Sequence, residues 1–340
     1  MGEELRKIVI RIEHNIILFF SLFDKQMKKS LITSLLLLLA LTSWAQDGQE
    51  VFNFLRLPVS AHAAALGGEN VSLTDDDASL VFHNPSLINQ VTDRTLNLNM
   101  MTYMQGTLTG SASFVRAVGD RGTWGVQGRF ISYGEMKETT SNNVQTGTFS
   151  AKDLALGGTF AYGLTEHISG GITAKLAASY IGNYNSLAAA VDLGLNFYDP
   201  ETEWSIGAVA RNLGGQLKAY DDDFERMPLD LQLGVTKRLI GSPLRFSAAL
   251  VRLNNWDYGL GKHIVIGADL ILSDQFYIAA GYNALRAYEM KITSNQDESS
   301  HGAALSIGAG LQLERLQLHV AYGKYHVSSS SLMINFNYCL

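Results

Sequence analysis

Residues 186–199 read SLAAAVDLGLNFYD, and their even and odd positions disagree. Leu187, Ala189, Val191, Leu193, Leu195 and Phe197 are apolar, whereas Ser186, Ala188, Ala190, Asp192, Gly194 and Asn196 are small or polar. A period of two places the first set on one face of a strand and the second set on the other. The same alternation runs from Leu96 to the C-terminus. It marks strands near Leu96–Met101, Leu108, Trp124–Phe130, Leu154–Tyr162, Ile168, Leu187–Phe197, Trp204, Leu229–Val235, Leu244–Leu250, Ile264–Leu272, Phe276, Leu305–Leu313, Leu316–Tyr322 and Leu332–Leu340. Each is ~9–12 residues long, the length that a tilted strand needs to cross a bilayer.

The connections alternate as well. Segments 119–122, 165–167, 199–203, 240–243, 273–275 and 314–315 are short, whereas 134–150, 214–228, 254–262 and 287–300 are long and polar. Short turns at one end and long loops at the other are the asymmetry of bacterial outer-membrane barrels. A lone strand would leave backbone groups unpaired in hydrocarbon, so the sheet must close. The pattern predicts an all-β fold: a closed antiparallel transmembrane β-barrel of about fourteen strands, residues 95–340, with its leucines toward lipid. Aromatics near strand ends, among them Tyr103, Trp124, Tyr133, Tyr162 and Trp204, suit interfacial girdles.

The start of the chain follows other rules. MKKSLITSLLLLLALTSWAQ, residues 27–46, has a charged start, an apolar core too short to span and small residues at 43 and 45, so 27–45 reads as a cleaved signal peptide. Residues 1–26 then read as an upstream start overcall. Residues 46–94 lack the period of two. Ser60 is a good N-cap for an Ala-rich helix, Gly67-Gly68 ends it, and Asn84-Pro85 signals a turn. These features predict a short helical N-terminal plug inside the barrel.

Composition fits this picture. The chain of 340 residues is 46% hydrophobic but only 17% charged, with 32 Gly and 5 Pro. A net charge of -6 offers no general basic surface, so nucleic acid is not an expected partner. The single cysteine, Cys339, cannot form an internal disulfide and reads as a small strand residue. There is no nucleophile elbow, zinc-protease, P-loop or dinucleotide motif, and no Ser stands three residues before a Lys. No catalytic residue, metal site or cofactor is expected. The runs Asp75-Asp76-Asp77 and Asp221-Asp222-Asp223 read as solvated acidic turns, or else as contacts for a cation or partner. His62 and His83 in the plug read as structural hydrogen-bonded residues, or else as pH-sensitive contacts. Asp192, Arg211 and Asp269 face inward by phase; they either pair across a filled lumen or line a pore or ligand wall.

FLRLPVSAHAAALGGENVSLTDDDASLVFHNPSLI resembles the N-terminal segment of the outer-membrane fatty-acid-transporter-like superfamily, through its Gly67-Gly68, the acidic stretch containing Asp76, and Asn84-Pro85. That stretch, together with TLNLNMMTYMQG, DLGLNFYDPETEWSIGAVARNLGGQLKAYDDDFERMPLDLQLGV and VRLNNWDYG, resembles the PorQ family of the type IX secretion system of Bacteroidetes. The resemblance implies a non-enzymatic outer-membrane component that tethers a surface attachment complex. Its partners would be outer-membrane lipid, a sortase, a shuttle barrel and a surface protein. The long loops carry aromatics beside charges, which suits an interface. Tyr220, Asp221, Asp222, Asp223 and Phe224, then Trp256, Asp257 and Tyr258, are the expected partner contacts. The alternative is a channel or binding barrel for hydrophobic small molecules, following the wider superfamily.

Overall fold

The computed structural model describes residues 50–340 apart from 105–106, 258, 295–296 and 300–301. The expected signal peptide at 27–45 and the stretch 1–26 lie outside the described residues, as does Tyr258. The chain enters through short 3-10 turns at Asn53–Arg56, Ala78–Phe82 and Pro85–Gln90 and one helix, α1 (Ala61–Ala65). It then builds β1 (Thr95–Thr102), β2 (Leu108–Val118), β3 (Gly122–Thr139), β4 (Gln145–Gly163), β5 (Ile168–Ile181) and β6 (Tyr184–Asp199). These are followed by β7 (Trp204–Lys218), β8 (Asp230–Arg238), β9 (Leu244–Leu250), β10 (Ile264–Ser273) and β11 (Phe276–Asn283). A helix α2 (Ala284–Glu289) and a small hairpin, β12 (Ile292–Ser294) with β13 (Asp297–Ser299), precede β14 (Leu305–Gln312), β15 (Leu316–His326) and β16 (Ser329–Cys339).

All strands but β12 and β13 form one closed antiparallel barrel, each paired with its neighbour in sequence. The seam is β1 against β16, in register from Thr95 opposite Cys339 to Met101 opposite Met333. The expected barrel of about fourteen strands is therefore the observed one. Among the described residues no helix is long and apolar enough to cross a membrane.

Strand β6 shows how the wall divides. Leu187, Leu193 and Leu195 are 38%, 39% and 46% exposed, whereas Ala188, Asp192 and Asn196 are buried on the inner face. The outer face continues through Leu156, Phe160, Ile172, Leu176, Ile206, Ile266, Ile278, Ile307 and Ile334. An apolar belt of this extent far exceeds the patches of a few hundred Å² that monomeric soluble proteins show, and it fits acyl chains.

Two local readings change. Segment 134–150 is not a loop: β3 and β4 continue as a ribbon, with Glu135 opposite Ser150 and Thr139 opposite Gln145. Its residues are polar because they stand clear of the apolar belt, not because the backbone is unpaired. Tyr103 and Tyr133 do not join the outer girdle. Tyr133 Oη donates to Asp153 Oδ2 at 2.7 Å, and both tyrosines pack against the inner clusters of the barrel.

Residues 51–91 fill the lumen. Leu66, Leu73, Leu80 and Leu87 are fully buried in one cluster with Met101, Tyr277 and Met333 of the wall. Phe52 and Phe54 pack on Ile131, Ala177 and Ala188. Inward glycines of the wall are the places where the plug presses closest. A Cβ at Gly194 would collide with Asn84 Oδ1, and one at Gly171 with the Pro85 carbonyl group.

Leu193→Arg, at mid-height on the outer face, is expected to destabilise the barrel by about 2–4 kcal/mol in a bilayer. Denaturant titration of the protein folded in lipid vesicles measures it; an unchanged midpoint would mean that this face does not meet hydrocarbon.

Candidate functional site

The lumen is built from the plug outward. Ser60 caps α1, its Oγ accepting from Ala63 N at 3.3 Å. Gly67 and Gly68, at φ 105° and 97°, end it, with Gly68 N donating to Ala63 O at 2.9 Å. This short helix carries His62 into a charged cluster. His62 Nε2 lies 2.8 Å from Asp269 Oδ1 of β10. Its Nδ1 lies 2.8 Å from Asp75 Oδ2, a charge contact off the axis of the ring N–H. Arg245 of β9 donates to both carboxylates, at 2.6 Å to Asp269 and 2.7 Å to Asp75. The Tyr277 ring stacks on His62 at 4.0 Å, and Tyr277 Oη is 2.6 Å from His319 Nδ1.

Burial opposes the charge on His62, but the carboxylates of Asp269 and Asp75 outweigh it and push the imidazole up to about 9. Burial would likewise raise Asp75, yet Arg245 and His62 hold it well below the usual carboxylate range. The second plug histidine behaves oppositely. Burial, then the positive charges of Arg211 and Arg129, push His83 well below its ordinary value, so it stays neutral. His83 Nε2 accepts from Ser60 N at 3.3 Å.

A second charged cluster crosses the other half of the lumen. Lys175 Nζ donates to Asp192 at 2.7 Å, and Arg211 Nη2 donates to Asp230 at 2.7 Å and to Glu69 at 2.9 Å. Asp192 also accepts from Asn212 N, at a bulge where Asn212 has φ 62°. Arg129 donates to Phe54 O and Leu57 O and so ties the plug to β3.

The Asp75-Asp76-Asp77 run is not a solvated turn. Asp77 is fully buried and accepts from Ser60 Oγ and Ser79 N, while Asp76 accepts from Thr92 N and Oγ1. All three carboxylates are spent on fixing the plug. Asn84 Oδ1 caps the turn that begins with Pro85, accepting from Ser86 N at 3.1 Å, and Asn84 Nδ2 donates to Val71 O. Among the described residues no group of three or more His, Cys, Asp or Glu side chains converges to hold a metal ion.

The loop residues occupy two adjacent connections at one end of the barrel. Asp221–Phe224 are exposed, Phe224 at 67%, and Tyr220 is half-buried. Trp256 is 62% exposed beside the His263 ring, and Asp257 is exposed too. The connections are tied at their base, where Asn254 Nδ2 donates to Leu229 O and Asn254 Oδ1 accepts from Leu231 N.

A third feature, absent from the sequence reading, lies in the wall. A groove of about 740 Å³ opens on the outer face of β3–β7. Outward Val126, Leu156, Leu176, Val191 and Leu213 line it, and so do inward Gln127 and Lys175. Gly157 and Gly158 thin the wall there, and a Cβ at Gly158 would meet nothing within 4 Å. Behind it a lumenal pocket of about 30 Å³ is lined by Leu55, Phe82, Arg129 and Asp192, and shares Gln127, Leu156, Gly157 and Lys175 with the groove. Consecutive glycines in one strand of a membrane barrel were the available signal.

Protonated His62 supplies stability that is fully present below 6.5, its unfolded value, and is lost as pH rises through about 9. Raising the pH across this window is expected to remove about 3 kcal/mol of stability. His62→Gln is expected to lack that component. Thermal unfolding of both proteins across the window checks it; parallel pH profiles would refute the charged role of His62.

No known family model matches the chain, and no curated protein matches it. Solved structures do. The toluene transporter TodX of Pseudomonas putida aligns at a TM-score of 0.56 and 14% identity, covering 85% of this chain and 98% of that one. The CymD monoaromatic hydrocarbon channel aligns at 0.51 and 13%, covering 83% and 96%. A Pseudomonas aeruginosa FadL homologue aligns at 0.50 and 11%, covering 84% and 99%. At these identities the likeness is one of architecture, and the chain has the fold of FadL-type outer-membrane barrels.

Proposed function

We propose that the protein is a non-enzymatic outer-membrane barrel that binds and passes hydrophobic small molecules, admitting them from the membrane through the groove in its wall. The observation that carries this reading is the groove itself. It presents apolar side chains to lipid and ends at a glycine-thinned wall, with a lumenal pocket directly behind. A molecule dissolved in acyl chains would reach Leu156 and Leu176 without crossing water, so its entry into the groove costs no exposure of apolar surface and rests on packing against these side chains. Gln127 and Lys175 at the inner edge would receive whatever polar group it carries. The solved neighbours with this fold include a toluene transporter and monoaromatic hydrocarbon channels, which supports the same reading.

Gly158→Trp is expected to fill the groove without meeting the wall and to lower uptake of a monoaromatic hydrocarbon into barrel-containing vesicles at least fivefold. Uptake equal to that of the parent protein, or no uptake by either above protein-free vesicles, would overturn the proposal.

A second reading is favoured by the packing of the plug against β1–β6, where the cavities beside Leu55 and Val59 measure only about 30 and 10 Å³. A stoppered barrel is suited to docking. On this reading the exposed loops, with Asp221–Phe224 and Trp256, hold a surface partner, as the sequence resemblance to the PorQ family implies. The connection begins after Lys218, the end of β7, so replacing 219–228 with Gly/Ser is expected to abolish copurification of surface secretion proteins on gentle detergent extraction; full retention of every partner would remove those loop residues from the interface.

A further inference from the structure

We propose that the cavity at the long-connection end of the barrel binds a compact oxyanion, a carboxylate or phosphate group, gripped by Arg286. This cavity has a volume of about 230 Å³ and is framed by Asn53, Arg56, Gly68, Asn283, Arg286 and Tyr325. It is separate from the wall groove and too small to enclose a long acyl chain.

Arg286 stands on α2 and is only 6% exposed. Asn283 fixes its backbone, Oδ1 accepting from Arg286 N at 2.9 Å. The guanidinium is then oriented by neutral groups. Nε donates to Ala303 O, Nη2 donates to Ser306 Oγ at 2.6 Å and to Ala304 O at 3.2 Å, and the Tyr325 ring lies 4.5 Å from the guanidinium carbon. Nη1 is buried and donates to no atom among the described residues.

The other charges of the cavity are already matched. Arg56 pairs with Glu50, Arg252 with Glu289, and Glu69 and Asp230 with Arg211. Among the described residues no carboxylate pairs with Arg286. A buried cation held by carbonyls, a hydroxyl and a ring keeps its positive charge uncompensated, and that is costly unless an anion completes it. The remaining donor, Nη1, is the one an oxyanion would take.

Gly68 places no side chain against that buried donor. A Cβ there would stand 3.2 Å from Arg286 Nη1 and 3.1 Å from Tyr325 Oη. Gly67-Gly68 therefore does more than stop α1: its second glycine lets the plug backbone approach the guanidinium and the Tyr325 ring at one edge of the cavity, where a side chain would crowd Nη1. Gly68, Tyr325 and Arg286 come from the plug, from β15 and from the connection after β11, so the site exists only in the assembled barrel.

The full chain in detergent micelles, titrated calorimetrically with inorganic phosphate and with succinate against a chloride control of equal ionic strength, tests the proposal. The parent protein is expected to show one saturable site for at least one of the two anions. Arg286→Gln and Gly68→Ala are each expected to weaken it about tenfold or more. Heat-modifiable electrophoretic mobility verifies that each variant is a folded barrel. Where Arg286→Gln does not fold, Arg286→Lys, which keeps the charge but loses the planar fork, decides in its place. A parallel titration with dihexanoyl phosphatidic acid identifies the source: tighter binding than phosphate assigns the site to a lipid headgroup, and equal or weaker binding to a free anion. Absence of saturable binding by the parent protein to either anion, or unchanged affinity in the folded Arg286 variant, would overturn it.

Discussion

Every backbone donor and acceptor placed in hydrocarbon must find its partner within the protein. This constraint explains why β1 meets β16 and why the wall has no free edge. It also explains the alternation that runs along the strands. Once the sheet closes, one face of every strand meets lipid and the other meets whatever the cylinder encloses. Leu193 and Asp192 are neighbours in sequence but belong to different solvents.

Enclosure creates a second requirement. Charges on the inner face have lost bulk water, so each must be matched inside the lumen. The plug supplies half of that matching. Asp75 and His62 complete Arg245 and Asp269 of the wall, and Glu69 completes Arg211 with Asp230. Removing one member of such a buried set costs roughly 3–5 kcal/mol, because the survivors keep their charge without compensation. The plug is therefore bound to the barrel by charge pairing as well as by its buried leucines. Any movement that opens the lumen must exchange those contacts for others. The route proposed through the wall groove avoids this exchange, because the groove opens on the outer face of β3–β7 and not along the stoppered axis.

The strands were legible because their period depends on nearest neighbours alone. The plug helix was legible for a similar reason: Ser60 and Gly67-Gly68 are local signals. What failed was reading charge as exposure. Asp75-Asp76-Asp77 looks like a wet turn, yet Arg245 lies 170 residues away in sequence and Asn337, which donates to Asp77, lies 260 away. Arg211 sits directly opposite Asp230, and Arg245 directly opposite Asp269. Both pairs follow from register. The connections at 219–229 and 251–263 are too long for a turn type to fix that register from sequence. Lys175 and Asp192 are a diagonal pair across the β5–β6 hairpin, which the tight turn at Gly182 made recoverable. The wall groove left only a faint trace, the adjacent Gly157 and Gly158.

The central claim is a closed wall around a filled lumen, and its seam can be tested with the chain's own chemistry. Cys339 is the sole cysteine and stands opposite Thr95 across the β1–β16 seam. The measurement is crosslinking of Thr95→Cys by a short bifunctional thiol reagent in folded, membrane-embedded protein. Closure predicts an intramolecular crosslink in high yield that vanishes when the protein is unfolded first. Failure to crosslink in the folded state, or crosslinks only between separate molecules, would contradict a closed barrel.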